Sequence, residues 1–541
     1  MVAKKLCIIT CLLLKSVTCA QSLQQINCSS LGTEQFQSVP KKIDEPEVSP
    51  EQCPGCYTIG YAVLHNHLRC IKKLAASGVD VNKEEDGSLT LQSAIRWSSP
   101  ECIETLVQCG ADINAELDEE KNSALHIAIE YERIDLVEIL ISLGLNINAQ
   151  NISNQTPLHY AAENENPIFI KILVQHGANL NTPDATPIHK AATWGNKKCI
   201  EMLVKLGADV HAQDCDGATP LHYAAMPLEK DDDIINAQCI KTLIELGASV
   251  NTFDNNKITP LHDAAELGNL ACIKMLIELG ADIHAQSIDG TMPLHLASLF
   301  GHSECIETLV RLGADIHAQD TQESTSLHYA AMGNNQRCIE LLLFLGANVH
   351  MKDLEGATPL HVASLVDYQE CIQILVRHGA NINTQSFCGM TPIHYAIING
   401  NPECIKLLFS LGADINFKDQ YGRTPLHFAA FLGNSECIQT LVKLGADVKV
   451  QDYNGVTPLH NAAMNGCSQI NSESSSTGAG SRCSPSGNCL NQFFTRASAA
   501  SNSFFRSARI MGKNQSRIFV RKPMRSSIGI CCPKSCQHAT S

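Results

Sequence analysis

Residues 424–456 read TPLHFAAFLGNSECIQTLVKLGADVKVQDYNGV, and this 33-residue stretch decides the fold. Thr424 stands where a helix N-cap belongs, and Pro425 takes the first helical position, where its missing N–H costs nothing. Leu426, Ala429 and Ala430 then form the packed face of a short helix, with small Ala letting a second helix approach closely. Gly433-Asn434 makes a turn. Cys437, Ile438, Leu441 and Val442 recur at helical spacing after it, which predicts a second helix. Gly445 ends that helix at a left-handed position. An extended excursion through Ala446-Asp447-Val448 and a turn at Asp452–Gly455 lead to the next Thr-Pro.

The stretch recurs. Thr-Pro-Leu-His-x-Ala-Ala stands at Thr156–Ala162, Thr219–Ala225 and Thr259–Ala265. Variants begin at Thr186, Thr358, Thr391, Thr424 and Thr457; weaker copies begin at Ser123, Met292 and Thr325, and degenerate ones near Tyr57 and Leu89. Marked by the motif Leu or Ile, the interval is 33 residues at every step from Leu261 to Leu459. Two steps depart from it by more than one residue: 30 residues from Leu158 to Ile188, which shortens a finger at Asn181–Ala185, and 40 from Leu221 to Leu261, which adds residues around Pro227–Asn236 between two helices. Neither helix of a unit buries its apolar face alone, so successive units must stack into a quasi-one-dimensional array.

Motif, length and order together resemble the ankyrin repeat, with about thirteen units over residues 57–466. The resemblance implies an all-α repeat solenoid: stacked helix–turn–helix ankyrin repeats with β-hairpin fingers along one edge, flanked by disordered termini. It also implies a concave groove, lined by fingers and inner helices, that binds proteins. The units at 57–82 and 457–466 depart from the pattern as capping units should.

The chain has 21 His and 25 Cys, a composition that invites a metal or catalytic reading. Register answers most of it. Eleven histidines, from His126 to His460, occupy the Thr-Pro-Leu-His slot, and His211, His284, His317 and His350 stand where other units carry Asn, as at Asn114 and Asn416. Hydrogen bonding within the turn and the helix start is the expected role. Ten cysteines, from Cys70 to Cys437, hold one position of the second helix and read as small buried hydrophobes. Cys53 and Cys56 with His65, His67 and Cys70 suggest zinc only weakly, since Cys70 is claimed by the repeat. Cys531, Cys532, Cys536 and His538 lack an orienting Asp or Asn. No P-loop, nucleophile elbow or dinucleotide fingerprint is present. The expectation is no enzyme, no catalytic residue, no metal, no cofactor and no small-molecule substrate.

The formal charge of −15 is unevenly spread. Residues 1–56 balance, residues 467–541 carry ten basic and one acidic side chain, and the body between them holds −24. Such a body repels phosphate backbones, which argues against nucleic acid as partner of the repeats. Lys4, Lys5, the apolar Leu6–Leu14 and Thr18-Cys19-Ala20 read as a signal peptide over residues 1–20, followed by a linker over 21–56, so the expected location is secreted, with cytoplasmic as the alternative. Residues 467–541 read as a Ser-rich linker and a basic, largely disordered tail. Phe493, Ala497, Ala500, Phe504, Ala508 and Met511 nonetheless recur at steps of three and four, accompanied by Arg496, Arg506, Arg509 and Lys513. This pattern admits contact with an anionic membrane, and Cys531-Cys532 a lipid anchor.

Residues that vary while the scaffold repeats are candidates for recognition. On the inner helix, the position after the motif His holds Tyr160, Tyr223, Tyr329, Tyr395 and Phe428. At finger tips stand Asp289, Asp320, Asp353, Asp419, Tyr421 and Tyr453, among others. Rings above acidic tips suit a protein partner with a basic and apolar surface. Partial burial of the rings between repeats is the competing reading. The expected function is a non-catalytic scaffold or adaptor that binds a partner protein through the concave groove, exported in the manner of an effector. The alternative is an enzyme or membrane-tethered effector in which the Cys-containing tail acts and the repeats select the target.

Overall fold

A computed structural model describes residues 58–464, apart from 83, 86–87, 183–184 and 227–232. The segments read as signal peptide and linker, the Cys53–Cys56 pair and the basic tail all lie outside the described residues. Within them the chain forms twelve helix pairs and a thirteenth inner helix, Pro458–Met464, in strict succession. Inner helices such as Pro359–Leu365 and Pro392–Ile398 pack on one another in one layer; outer helices such as Gln369–Arg377 and Pro402–Ser410 form the second. No helix among the described residues is long and apolar enough to cross a membrane.

Each inner helix starts as its sequence dictates. Thr424 sits in extended backbone ahead of Pro425, and the Nδ1 atom of His427 reaches back to the Thr424 N–H at 3.0 Å and its hydroxyl at 2.9 Å. This closes a capping box in which an imidazole replaces the usual Glu or Gln. Asn269, Asn401 and Asn434 cap outer helices through their side chains. The core is layered: Leu426, Ala429, Ala430, Cys437, Ile438 and Leu441 are all buried, and their counterparts repeat along the chain. Each large aliphatic side chain so buried contributes about 1.5–3 kcal/mol.

The fingers differ from the resemblance. Only Glu84–Glu85 pairs with Ser88–Leu89 as strands among the described residues, with one isolated bridge between Gln319 and Thr325. Elsewhere the described tips are turns built on an Asp, Asn or Ser side chain. At one of them the Asp353 N–H donates to Ala357, and its Oδ1 accepts from the N–H groups of Glu355 and Ala357 at 3.0 and 2.8 Å. A carboxylate that satisfies two backbone donors leaves a single ladder bond, too few to register as strands.

The two irregular steps are also resolved. The outer helix after the long interval runs Asp233–Glu245, 13 residues where most others have nine, so part of the insertion extends that helix. At the short interval, His159 Nε2 still reaches the Ala185 carbonyl at 2.8 Å, so the stack is kept.

Candidate protein-binding surface

The motif histidines are scaffold. His126, His159, His189, His222, His262, His328, His361 and His427 each bring Nε2 within 2.8–3.2 Å of the carbonyl just before the next unit's motif. Each ring thus caps its own helix with one nitrogen and joins the next repeat with the other, a connection the spacing alone did not reveal. Since Nδ1 accepts from a backbone N–H, Nε2 carries the proton and the ring must be neutral. Burial enforces this, holding His126, His159, His262, His328 and His361 down at about 4. By contrast, His211, His284, His317 and His350 are exposed. Asn in that slot does more: Asn383 donates to the Gly412 carbonyl and accepts from the Asp414 N–H of the next unit.

The cysteine column is buried from Cys70 to Cys437, and none of its thiols forms a disulfide. Burial pushes Cys199, Cys239, Cys371 and Cys404 up to about 12, so they are poor nucleophiles. Among the described residues no group of three or more His, Cys, Asp or Glu is arranged to hold a metal.

The predicted recognition residues separate into two classes. Tyr223, Tyr329, Tyr395 and Phe428 are buried, each 8 % exposed or less. Each packs on the motif histidine of the preceding unit, as in His361–Tyr395 and His394–Phe428, with ring centroids 4.8 and 5.1 Å apart. The Tyr329 hydroxyl donates to Asp320 Oδ2 at 2.8 Å, and the Tyr223 hydroxyl to Asp214 Oδ2 at 2.7 Å. These four rings are inter-repeat mortar, which corrects the expectation that they face a partner. Asp419 is corrected too: it is buried and paired with Arg423 at 2.6 Å. Tyr160 is half-buried and bonds Asn122 through its hydroxyl.

The finger row remains open. Asp289 is exposed, Asp320, Asp353 and Tyr421 are half-buried, and Tyr453 is 74 % exposed. The row is continuous: the Leu354 N–H donates to Gln322, Phe387 to Glu355, Gln420 to Cys388 and Tyr453 to Tyr421. In each of these bonds the donor is the residue after the finger's leading Asp or Ser. That slot holds Ile288, Leu354, Phe387 and Tyr453, all more than half exposed. Ile288 and Leu354 were missed because they look like ordinary aliphatics; aligning the fingers on Asp353 and its equivalents would have found them. Burial raises the Asp353 carboxyl above the usual range, with Asp320 and Glu323 adding to the effect. Cations already sit on two rings of the row, Lys352 over Phe387 at 5.7 Å and Arg423 over Tyr421 at 4.7 Å. The surface is apolar, acidic and receptive to positive charge.

The profile of ankyrin repeats, described as three copies, matches residues 59–151, 125–214, 206–287, 294–386, 327–419, 381–452 and 411–472. An ankyrin repeat protein of fowlpox virus (strain NVSL) is 36 % identical over 127 residues, 23 % of this chain and 37 % of that protein. Inversin of Canis lupus familiaris is 28 % identical over 175 residues, 30 % of this chain and 16 % of that protein. The chain thus spans well under half the length of these relatives. The crystal structure of the human ASB11 ankyrin repeat domain is 30 % identical, covering 42 % of this chain and 99 % of that one with a TM-score of 0.36. The ankyrin repeat domain of Bcl-3 is 31 % identical, covering 38 % and 94 % with a TM-score of 0.35. The family profile alone spans most of the chain, and the chain belongs to the ankyrin-repeat family.

Proposed function

We propose that the chain is a non-catalytic adaptor that captures a protein segment bearing both basic and apolar side chains along its finger row. The observation that carries this is the exposed series Ile288, Leu354, Phe387 and Tyr453, set among Asp289, Asp320, Asp353 and Glu355 on one hydrogen-bonded edge. Apolar anchors supply most of the affinity at such surfaces, while the acidic rim steers the encounter and selects the sign of the partner. Tyr421 adds a half-buried ring to the row between Phe387 and Tyr453. The buried, neutral histidines and protonated thiols support a framework without chemistry. Export of the chain belongs to the same proposal and is supported by Lys4, Lys5 and the apolar Leu6–Leu14.

The test is selection of peptides from a random display library on the full-length protein. Basic peptides with aromatic or aliphatic anchors should be enriched. Their binding should weaken about tenfold or more with Leu354→Ser plus Phe387→Ser, the loss of about 1.4 kcal/mol or more. Enrichment of acidic peptides, or binding indifferent to the double substitution, overturns the proposal.

A further inference from the structure

The row's chemistry has a complement within the same chain. Residues 214–385 hold 23 acidic and eight basic side chains, whereas residues 386–464 hold six and five. On the finger tips of that stretch stand Asp214, Asp216, Asp254, Asp289, Asp320, Glu323, Asp353 and Glu355 against Lys257 and Lys352, and the last repeats are nearly balanced. Beyond them the tail carries its positive charge beside paired rings: Phe493-Phe494 with Arg496, Phe504-Phe505 with Arg506, and Phe519 with Arg521-Lys522. These are the side chains the row is built to hold. We propose that residues 491–522 dock in cis on the fingers around Leu354 and Phe387, so that the chain's own tail occupies the binding surface and any partner must displace it. This inference rests on the finger-row reading above.

Reach and strength both favour it. Residues 465–492 supply about 28 residues between the last described helix and the first Phe pair. A flexible Ser/Gly-rich linker of that length would span about 30 Å root-mean-square, from about 5–6 Å times the square root of the residue number. From the unit of Tyr453 back to Leu354 is three repeats, about 24–30 Å at a helix spacing of about 8–10 Å. A linker matched to its span gives an effective concentration in the millimolar range. A contact with a Kd of only about 0.1 mM would then be closed about nine-tenths of the time. Modest affinity suffices, which keeps the surface displaceable.

Zero-length carboxyl–amine coupling of the full-length protein, read by mass spectrometry, tests this. Equal parts of ¹⁴N- and ¹⁵N-labelled protein separate links within a chain from links between chains. The Lys406–Glu403 pair, 2.6 Å apart, provides an internal control for coupling and folding. The expected result is same-chain links from Lys513 or Lys522 to Glu323, Asp353 or Glu355. Their yield should fall about tenfold with Leu354→Ser plus Phe387→Ser, and equally with Ser at Phe493, Phe494, Phe504 and Phe505, while the control link persists. Absence of tail links beside a normal control, links indifferent to the finger substitutions, or links only between chains each overturn docking in cis. A synthetic peptide of residues 490–523, added to the full chain carrying the four tail Phe→Ser changes, separates this failure from that of the binding surface. Binding that depends on Leu354 and Phe387, without cis links in the native chain, overturns only the occupant; no binding overturns the surface as well.

Discussion

Tyr329 and Tyr453 are the same residue type in the same stack, yet one is 7 % exposed and the other 74 %. Tyr329 belongs to the inner helices, where the ring lies on His295 and its hydroxyl is held by Asp320. Tyr453 belongs to the finger row, where only its backbone N–H is engaged, by Tyr421. Variation between repeats marks both positions, so variation alone does not report exposure. In the helix layer a changed side chain alters how two repeats join; in the finger row it alters only what the surface offers.

Acid should break this comparison most strongly. Protonation charges a buried imidazole and cancels its bond from the Thr N–H, so the helix layer fails, whereas protonation of Asp353 in a finger turn removes a charge rather than burying one. With folded values near 4 for His126, His159, His262, His328 and His361, against about 6.5 unfolded, the unfolded chain binds more protons in that window. Stability is therefore fully present above about pH 6.5 and falls as pH drops toward 4, by on the order of 3 kcal/mol per histidine. Urea melts between pH 7.5 and 4 should show it; a midpoint that does not move across this range would contradict the neutral-ring arrangement.

Next in size is Tyr329→Ala, which opens the joint between two repeats and should cost about 3–5 kcal/mol by denaturant unfolding. A loss under about 1 kcal/mol would return this ring to the surface class. Gly356→Ala probes the link between fingers. Gly356 has φ of +78°, and an added Cβ would lie 2.5 Å from the Phe387 N atom. A cost of about 1–3 kcal/mol is expected from the left-handed backbone and the clash, with faster amide exchange at Phe387. Smallest is the outward side of the row: Phe387→Ser should change stability by less than about 0.5 kcal/mol while weakening peptide binding. Equal loss of stability there would erase the distinction between layer and row.

Much of the molecule was legible in its sequence. The 33-residue period, Thr-Pro starts such as Thr424-Pro425, the Gly ends and the apolar spacing of the second helix all act within one unit, so local order sufficed to read helix pairs, their number and their stacking. The cysteine column was legible for the same reason, because a position fixed on a helix face is buried in every unit. The fingers were less so: Asp353 satisfies through its side chain the donors that a hairpin ladder would otherwise take up.

What only the tertiary structure decided is which varying residues meet solvent. Tyr395 is buried by His361, which stands 34 residues earlier in the neighbouring unit. The second nitrogen of eight motif histidines likewise finds its carbonyl just before the next repeat's motif, as His361 does at Met390. A sequence period specifies what each repeat is made of, because secondary structure forms from neighbours along the chain. Exposure is set by the neighbour across the interface, through packing that exists only once two units have stacked.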